Sequence, residues 1–194
     1  MASAPSGSLR ILGIDPGLNI TGYGVIDLGP LGARLAEAGV IRLPRSSGEN
    51  LPARLAKLFE EVESVMEEFG PQRMCLEEVY GHAAFPKTSI LMSHARGVIC
   101  LAAQLRCIPV SSFPAKRIKQ SVTGNGNASK QQVQRAVRHL FSLEQTPHPP
   151  DVADALAAAL CYLNSAQRAS ILSGNGGLRL PGKSLLCARD RAGV

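Results

Sequence analysis

The strongest constraint on this chain is the point at which its apolar pattern changes period. Arg10 to Asp15 (RILGID) is a short apolar run halted by Asp-Pro-Gly, which reads as a strand followed by a turn. Thr21 to Asp27 (TGYGVID) reads as a second strand, antiparallel to the first. A third fits around Leu35 to Leu43, although LAEA there also suits the start of a helix. From Leu51 the period becomes helical: Leu51, Leu55, Leu58, Val62, Val65 and Phe69 recur every three or four residues, with Pro52 in the first turn and Gly70-Pro71 at the end. Met74 to Leu76 has the length of a buried strand and closes on Glu77-Glu78. Beyond it the pattern predicts a helix rich in small residues over Thr88 to Arg106 and a strand over Ile108 to Val110. Helices over Ala115 to Val122 and Ser129 to Phe141 follow, separated by the loop TGNGNA, and then a strongly apolar helix from Asp151 to about Arg168. Three early strands, then helices alternating with short strands, predict an α/β fold. Its mixed sheet has the first three strands antiparallel and is flanked by helices on both faces.

A chain of 194 residues fits one domain. The expected domain spans residues 9–168, between a flexible extension of residues 1–8 and a flexible basic tail of residues 169–194 that is rich in Gly, Ser and Arg. The longest apolar run, Ala155 to Leu163, is nine residues. A membrane span needs roughly 20. The start MASAPSGS has neither the basic nor the apolar part of a secretory signal. Cys75, Cys100, Cys107, Cys161 and Cys187 are odd in number and show no C-x-x-C spacing, so neither a disulfide framework nor a thiolate metal site is expected. These features together predict a protein of the reducing cytoplasm.

The net charge of +6 is modest, but its placement is informative. Residues 79 to 143, 65 positions, contain no Asp or Glu, where 15 acids in 194 residues would put about five. The same stretch carries Lys87, Arg96, Arg106, Lys116, Arg117, Lys119, Lys130, Arg135 and Arg138, while Glu60, Glu61, Glu63, Glu67 and Glu68 crowd an earlier segment. Segregation of this kind predicts a positive face for a polyanion, with the negative face turned away.

Several acids stand where an apolar element begins or ends, at the rim of a core. Asp15 closes the first strand, Glu77 or Glu78 closes the fourth, and Asp151 and Asp154 open the last helix, on one face at i, i+3. The helix N-terminus favours each anion by only about 0.3–1 kcal/mol. Two carboxylates 4 Å apart repel by about 4 kcal/mol at an effective dielectric of 20. A converging cluster would therefore take up protons or demand a cation. Oxygen donors alone favour Mg²⁺ or Mn²⁺ over zinc. Two such ions activate a water and stabilise the leaving oxygen in phosphodiester hydrolysis. Taken singly, Asp-Pro-Gly also suits a plain turn and Asp151 a helix cap. The run before Glu77 is too short for strand parity to choose between Glu77 and Glu78.

The blocks ILGIDPGLNITGYGVID, CLEEVY, KQSVTGNGNASKQQVQRAV and PDVADALAAAL together resemble the bacterial RuvC Holliday-junction resolvases, over roughly residues 9 to 165. The resemblance implies a ribonuclease-H-like fold and a homodimer that nicks opposed strands of a four-way DNA junction, leaving ligatable ends. It places the catalytic and metal-holding acids on Asp15, Glu77, Asp151 and Asp154, choosing Glu77 because the family's acid directly follows the apolar run. Two Mg²⁺ per site are implied, with Mn²⁺ as a substitute, and a branch-migration helicase complex as partner. Tyr80 matches an aromatic position that contacts bases near the crossover, and Lys119 and Lys130 match lysines near the scissile phosphates. Lys87, Lys116 and Arg117 complete the expected DNA contacts. The small residues Ala95, Gly97, Ala102 and Ala103 of the Thr88–Arg106 helix suit close packing against the second subunit.

Three other readings remain. An ATP-binding protein of the actin and sugar-kinase type shares an Asp- and Gly-bearing turn after its first strand, but it pairs two such domains, for which 194 residues leave no room. A junction-binding module without catalysis would not need all four acids. A related nuclease acting on RNA is separated from this one only by the Tyr80 and Lys119 blocks.

Overall fold

The computed structural model describes residues 8–29, 32–43, 50–79 and 86–172. Apart from their inner edges, the expected N-terminal extension and basic tail lie outside these residues. The chain opens with β1 (Leu9–Asp15), β2 (Ile20–Gly29) and β3 (Gly32–Arg42). β1 pairs antiparallel with β2, with Asp15 opposite Gly22 and Arg10 opposite Asp27, and β2 pairs antiparallel with β3. After α1 (Leu51–Phe69), β4 (Arg73–Glu77) adds to the free edge of β1 in parallel. After α2 (Pro86–Leu105), β5 (Val110–Phe113) adds in parallel to β4, which places Phe113 opposite Glu77. The five-stranded order is β3-β2-β1-β4-β5. The chain then forms α3 (Ala115–Thr123), α4 (Lys130–Leu140) and α5 (Pro150–Leu172). This is the expected mixed sheet with an antiparallel first half and helices on both faces.

Strand alternation sorts the side chains into two cores. Leu12, Ile14, Val25, Met74 and Leu76 face α1 and α2, where Leu58, Val62, Met66, Ala95 and Ile99 meet them. Ile11, Ile26, Cys75 and Phe113 face α5, with α3 and α4 contributing Ile118, Val133 and Val137. α5 is apolar all round because it is covered on both sides, and Ala155 to Leu163 are all buried. α1 begins where expected: the Asn50 side chain accepts from the Ala53 amide at 3.0 Å, Pro52 occupies the first turn and Gly70 ends the helix with φ 55°.

The third strand is present, beginning earlier at Gly32, and the LAEA segment lies within it because β3 runs its whole length along β2. The structure corrects two details. β5 lies later than Ile108 to Val110 and continues through Ser111 and Ser112, since ladder pairing to Cys75 and Leu76 decides it, not the apolar run. Ala95, Ala102 and Ala103 are fully buried within this chain's own core beside α1, so they are not available to a second subunit; only Gly97 of that set is exposed.

At the end of β1 remote from Asp15, Arg10 donates to Asp27 from Nε at 2.7 Å and Nη2 at 2.8 Å, and from Nη1 to the Phe69 carbonyl at 2.9 Å. Asp27 thus has a structural place well away from the acids at the other end of the sheet.

Candidate active site

Asp15 is the last residue of β1 and lies on the α5 face, two residues beyond Gly13 and four beyond Ile11. Glu77 is the last residue of the neighbouring parallel strand and shares that face with Cys75. Parity, undecided in the bare sequence, is resolved by the two cores: Met74 and Leu76 point to α1 and α2, so Glu77 points toward α5 and Glu78 falls in the opposite phase. Asp151 stands in the first turn of α5 and Asp154 at the start of the second, and α5 crosses the same end of the sheet.

Three glycines let α5 come this close. A β-carbon on Gly13 would strike the Ala155 carbonyl oxygen and sit 3.0 Å from the Ala159 Cβ. One on Gly24 would lie 2.5 Å from Leu156 Cδ2. One on Gly22 would overlap the Asp151 carbonyl oxygen and lie 3.0 Å from the Asp151 Cβ. All three lie on the α5 face of β1 and β2, and Gly22 also faces Asp15 across the ladder. Gly22 and Gly24 in TGYG carry a signal in the sequence for this approach: glycine at alternate positions marks a strand face kept clear for another backbone.

The four acids feel one another. Burial and then the charges of Asp154, Glu77 and Asp151 push the Asp15 carboxyl up to about 8, with Lys130 opposing. Glu77 is raised by burial and by Asp154 and drawn back by Lys119 and Lys130. Asp154 is raised by burial, opposed first by Lys130, whose Nζ stands 3.5 Å from Asp154 Oδ2. Lys130 is itself raised, chiefly by Asp154. Its position follows from helix geometry: Ser129 caps α4 in a reciprocal capping box with Gln132, which makes Lys130 the first residue of the helix.

The remaining expected contacts are more scattered. Lys119, half-buried on α3, acts on Glu77 and Asp154 by charge. Lys87 is exposed on the first turn of α2. Lys116 is exposed, with its stem beside Gly126. Arg117 is exposed but engaged: its guanidinium lies 5.0 Å over the Phe113 ring and donates to Ser165 Oγ at 3.0 Å. Tyr80 lies outside the described residues.

Among the described residues, no three His, Cys, Asp or Glu side chains meet in metal-holding geometry. The donor set nevertheless fits a hard divalent cation. It is all oxygen, and burial, followed by the charges of Asp154, Glu77 and Asp151, keeps the Asp15 carboxyl protonated near neutrality. A cation is the charge that would release that proton.

The chain is similar to known proteins of one family. The family model described as crossover junction endodeoxyribonuclease RuvC matches residues 11–162. A crossover junction endodeoxyribonuclease RuvC of Rhodopirellula baltica is 45% identical over 161 residues, covering 83% of this chain and 89% of that protein. One from Azoarcus sp. is 40% identical over 176 residues, covering 91% and 93%. Among solved structures, the Thermus thermophilus RuvC in complex with a Holliday junction substrate superposes with a TM-score of 0.76 at 30% identity, covering 84% of this chain and 97% of that one.

Proposed function

This chain belongs to the RuvC family of crossover junction endodeoxyribonucleases, and from that membership we propose how its residues carry out the reaction. It is a phosphodiester hydrolase that resolves four-way DNA junctions in recombination and repair, with the ribonuclease-H-like fold of its relatives. The observation that carries the reading of the site is Asp15: a carboxyl at a strand end, pushed up to about 8 by burial and by acids from β4 and α5.

Asp15, Glu77, Asp151 and Asp154 would hold two Mg²⁺ ions, or Mn²⁺ in their place, whose chemistry when bound would be Lewis-acid activation of water and stabilisation of the leaving oxygen. Lys130 and Lys119 border the carboxylates and lend positive charge where the phosphate gains negative charge on the way to products. Lys87, Lys116 and Arg117 contact the backbone of the flanking DNA, and Tyr80 stacks on an unpaired base at the crossover, a contact worth about 1–3 kcal/mol. A four-way junction has approximate two-fold symmetry, so a two-fold homodimer presents one site to each of two opposed strands. A branch-migration complex delivers the junction. No helix among the described residues is long and apolar enough to cross a membrane, and the cytoplasm is the compartment proposed.

The test is incubation of the protein with a synthetic four-way junction and a matching linear duplex, with and without Mg²⁺. The expected result is paired nicks on the junction alone, only with Mg²⁺. Asp154→Asn should bind the junction without cutting it, and retained cleavage would remove Asp154 from the mechanism.

A further inference from the structure

Arg54 sits near the start of α1 and is only 8% exposed. Its Nη2 donates to three acceptors: the Leu18 carbonyl at 2.7 Å, Asn19 Oδ1 at 2.8 Å and the Leu43 carbonyl at 3.2 Å. Leu18 and Asn19 belong to the turn that leaves Asp15, and Leu43 follows the last residue of β3. The Leu43 amide also donates to the Asn19 carbonyl at 2.9 Å. One nitrogen thus ties the Asp15 turn to β3 and to α1. From the other side Thr21, fully buried, donates from Oγ1 to the Gly17 carbonyl at 2.6 Å and accepts from the Gly17 amide at 3.2 Å.

A guanidinium is a costly way to fill a core. The Arg54 Nε is buried with no hydrogen-bond acceptor among the described residues. An unmet buried donor costs about 1–3 kcal/mol, and an apolar side chain in the same space would avoid it. What an apolar side chain could not do is hold the turn. That turn needs holding, because it leaves the end of β1 at Asp15 and its course sets where this side chain stands relative to Glu77 and Asp154. Without a brace, residues 16–19 would be free to shift and carry Asp15 away from Glu77 and Asp154.

We infer that Arg54 is a positioning residue for the nuclease centre, clamping the turn after Asp15 so that this side chain stays beside Glu77 and Asp154. The inference rests on the role proposed above for Asp15. It is tested on the full-length protein with Arg54→Met, which keeps the apolar stem and loses the donors, and with Asn19→Ala, which removes one acceptor at an exposed position. Three quantities are measured: single-turnover nicking of a four-way junction at saturating protein and Mg²⁺, junction affinity without metal, and amide hydrogen exchange.

Arg54→Met should slow nicking roughly 100-fold, the scale expected for a misplacement of about 1 Å. Its junction affinity should stay within about two-fold of wild type, since only the chemical step is touched. Exchange should rise at Gly17 and its neighbours while β4 and α5 stay protected. Asn19→Ala should show the same pattern at smaller size. A folded Arg54→Met that nicks normally overturns the inference. So does a parallel fall in rate and affinity with exchange rising throughout the sheet, which marks general destabilisation. If Arg54→Met does not fold, Asn19→Ala decides: unchanged nicking and unchanged exchange at Gly17 overturn it. A wild type that fails to nick sinks the nuclease reading instead, while the exchange data still report on the clamp.

Discussion

Gly22→Ala offers a sharp test of how the nuclease centre is assembled. The added β-carbon would overlap the Asp151 carbonyl oxygen and sit 3.0 Å from the Asp151 Cβ, whereas ordinary contact begins at 3.4 Å. Relief requires the first turn of α5 to lift from β2 by roughly 1 Å, because β2 lies between β1 and β3 and cannot recede. That turn carries Asp151 and leads into Asp154, and Gly22 sits opposite Asp15, so the lift acts directly on the spacing between Asp15 and the α5 acids. A misplacement of about 1 Å costs about 100-fold in rate, close to 2.7 kcal/mol of transition-state stabilisation. Overpacking should lower stability by about 1–3 kcal/mol. Gly29→Ala is the matched control, since a β-carbon there meets nothing within 4 Å. Single-turnover nicking, junction affinity and thermal melts would be measured on both variants. Gly22→Ala should bind the junction, melt a few degrees lower and nick about 100-fold more slowly, with Gly29→Ala unchanged in nicking. A folded Gly22→Ala that nicks within about three-fold of wild type would refute the argument that close seating of α5 sets the site.

Asp15 also predicts a pH dependence. Its folded carboxyl, at about 8, lies above the unfolded value of 3.8, so between these limits the folded state holds a proton that the unfolded state has released. With chelator present, this group makes stability fall as pH rises from about 4 to about 8, by up to about 1.4 kcal/mol per pH unit. Asp15→Asn should therefore raise the melting temperature more at pH 7.5 than at pH 5, and an equal gain at both would show that the carboxyl is not perturbed. Asp27→Ala leaves Arg10 buried without its partner and should cost about 3–5 kcal/mol in chemical denaturation. Its nicking rate at low temperature should stay normal, and a selective loss of nicking would give Asp27 a role at the site. If about six phosphates are neutralised, log K for the junction should fall against log salt with a slope near −5; a slope near zero would rule out the basic tract as the contact surface.

Some features are decided locally and were legible in the chain. Pro52 and Gly70 mark the ends of α1 because helix start and stop signals depend on neighbours a few residues away. The same holds for Asp151 and Asp154 sharing a face, which needs only the helical repeat, and for the acid-free basic stretch, which needs only counting. Strand limits are not local in this sense. Ser111 and Ser112 look like loop, yet pairing with β4 makes them strand. Ala95, Ala102 and Ala103 suit any close contact, and it is α1 of the same chain that takes it.

The linear order of residues by itself determined most element types, their sequence along the chain and the chemical kind of the acids, since these follow from periodicity and side-chain identity. Tertiary structure alone decided that Glu77 shares a face with Asp15, that glycines admit α5 against the sheet, and that Arg54 reaches across 36 positions to Leu18. The physical reason is that each depends on which surface of an element meets another, and that is settled only when distant segments bury their apolar faces together.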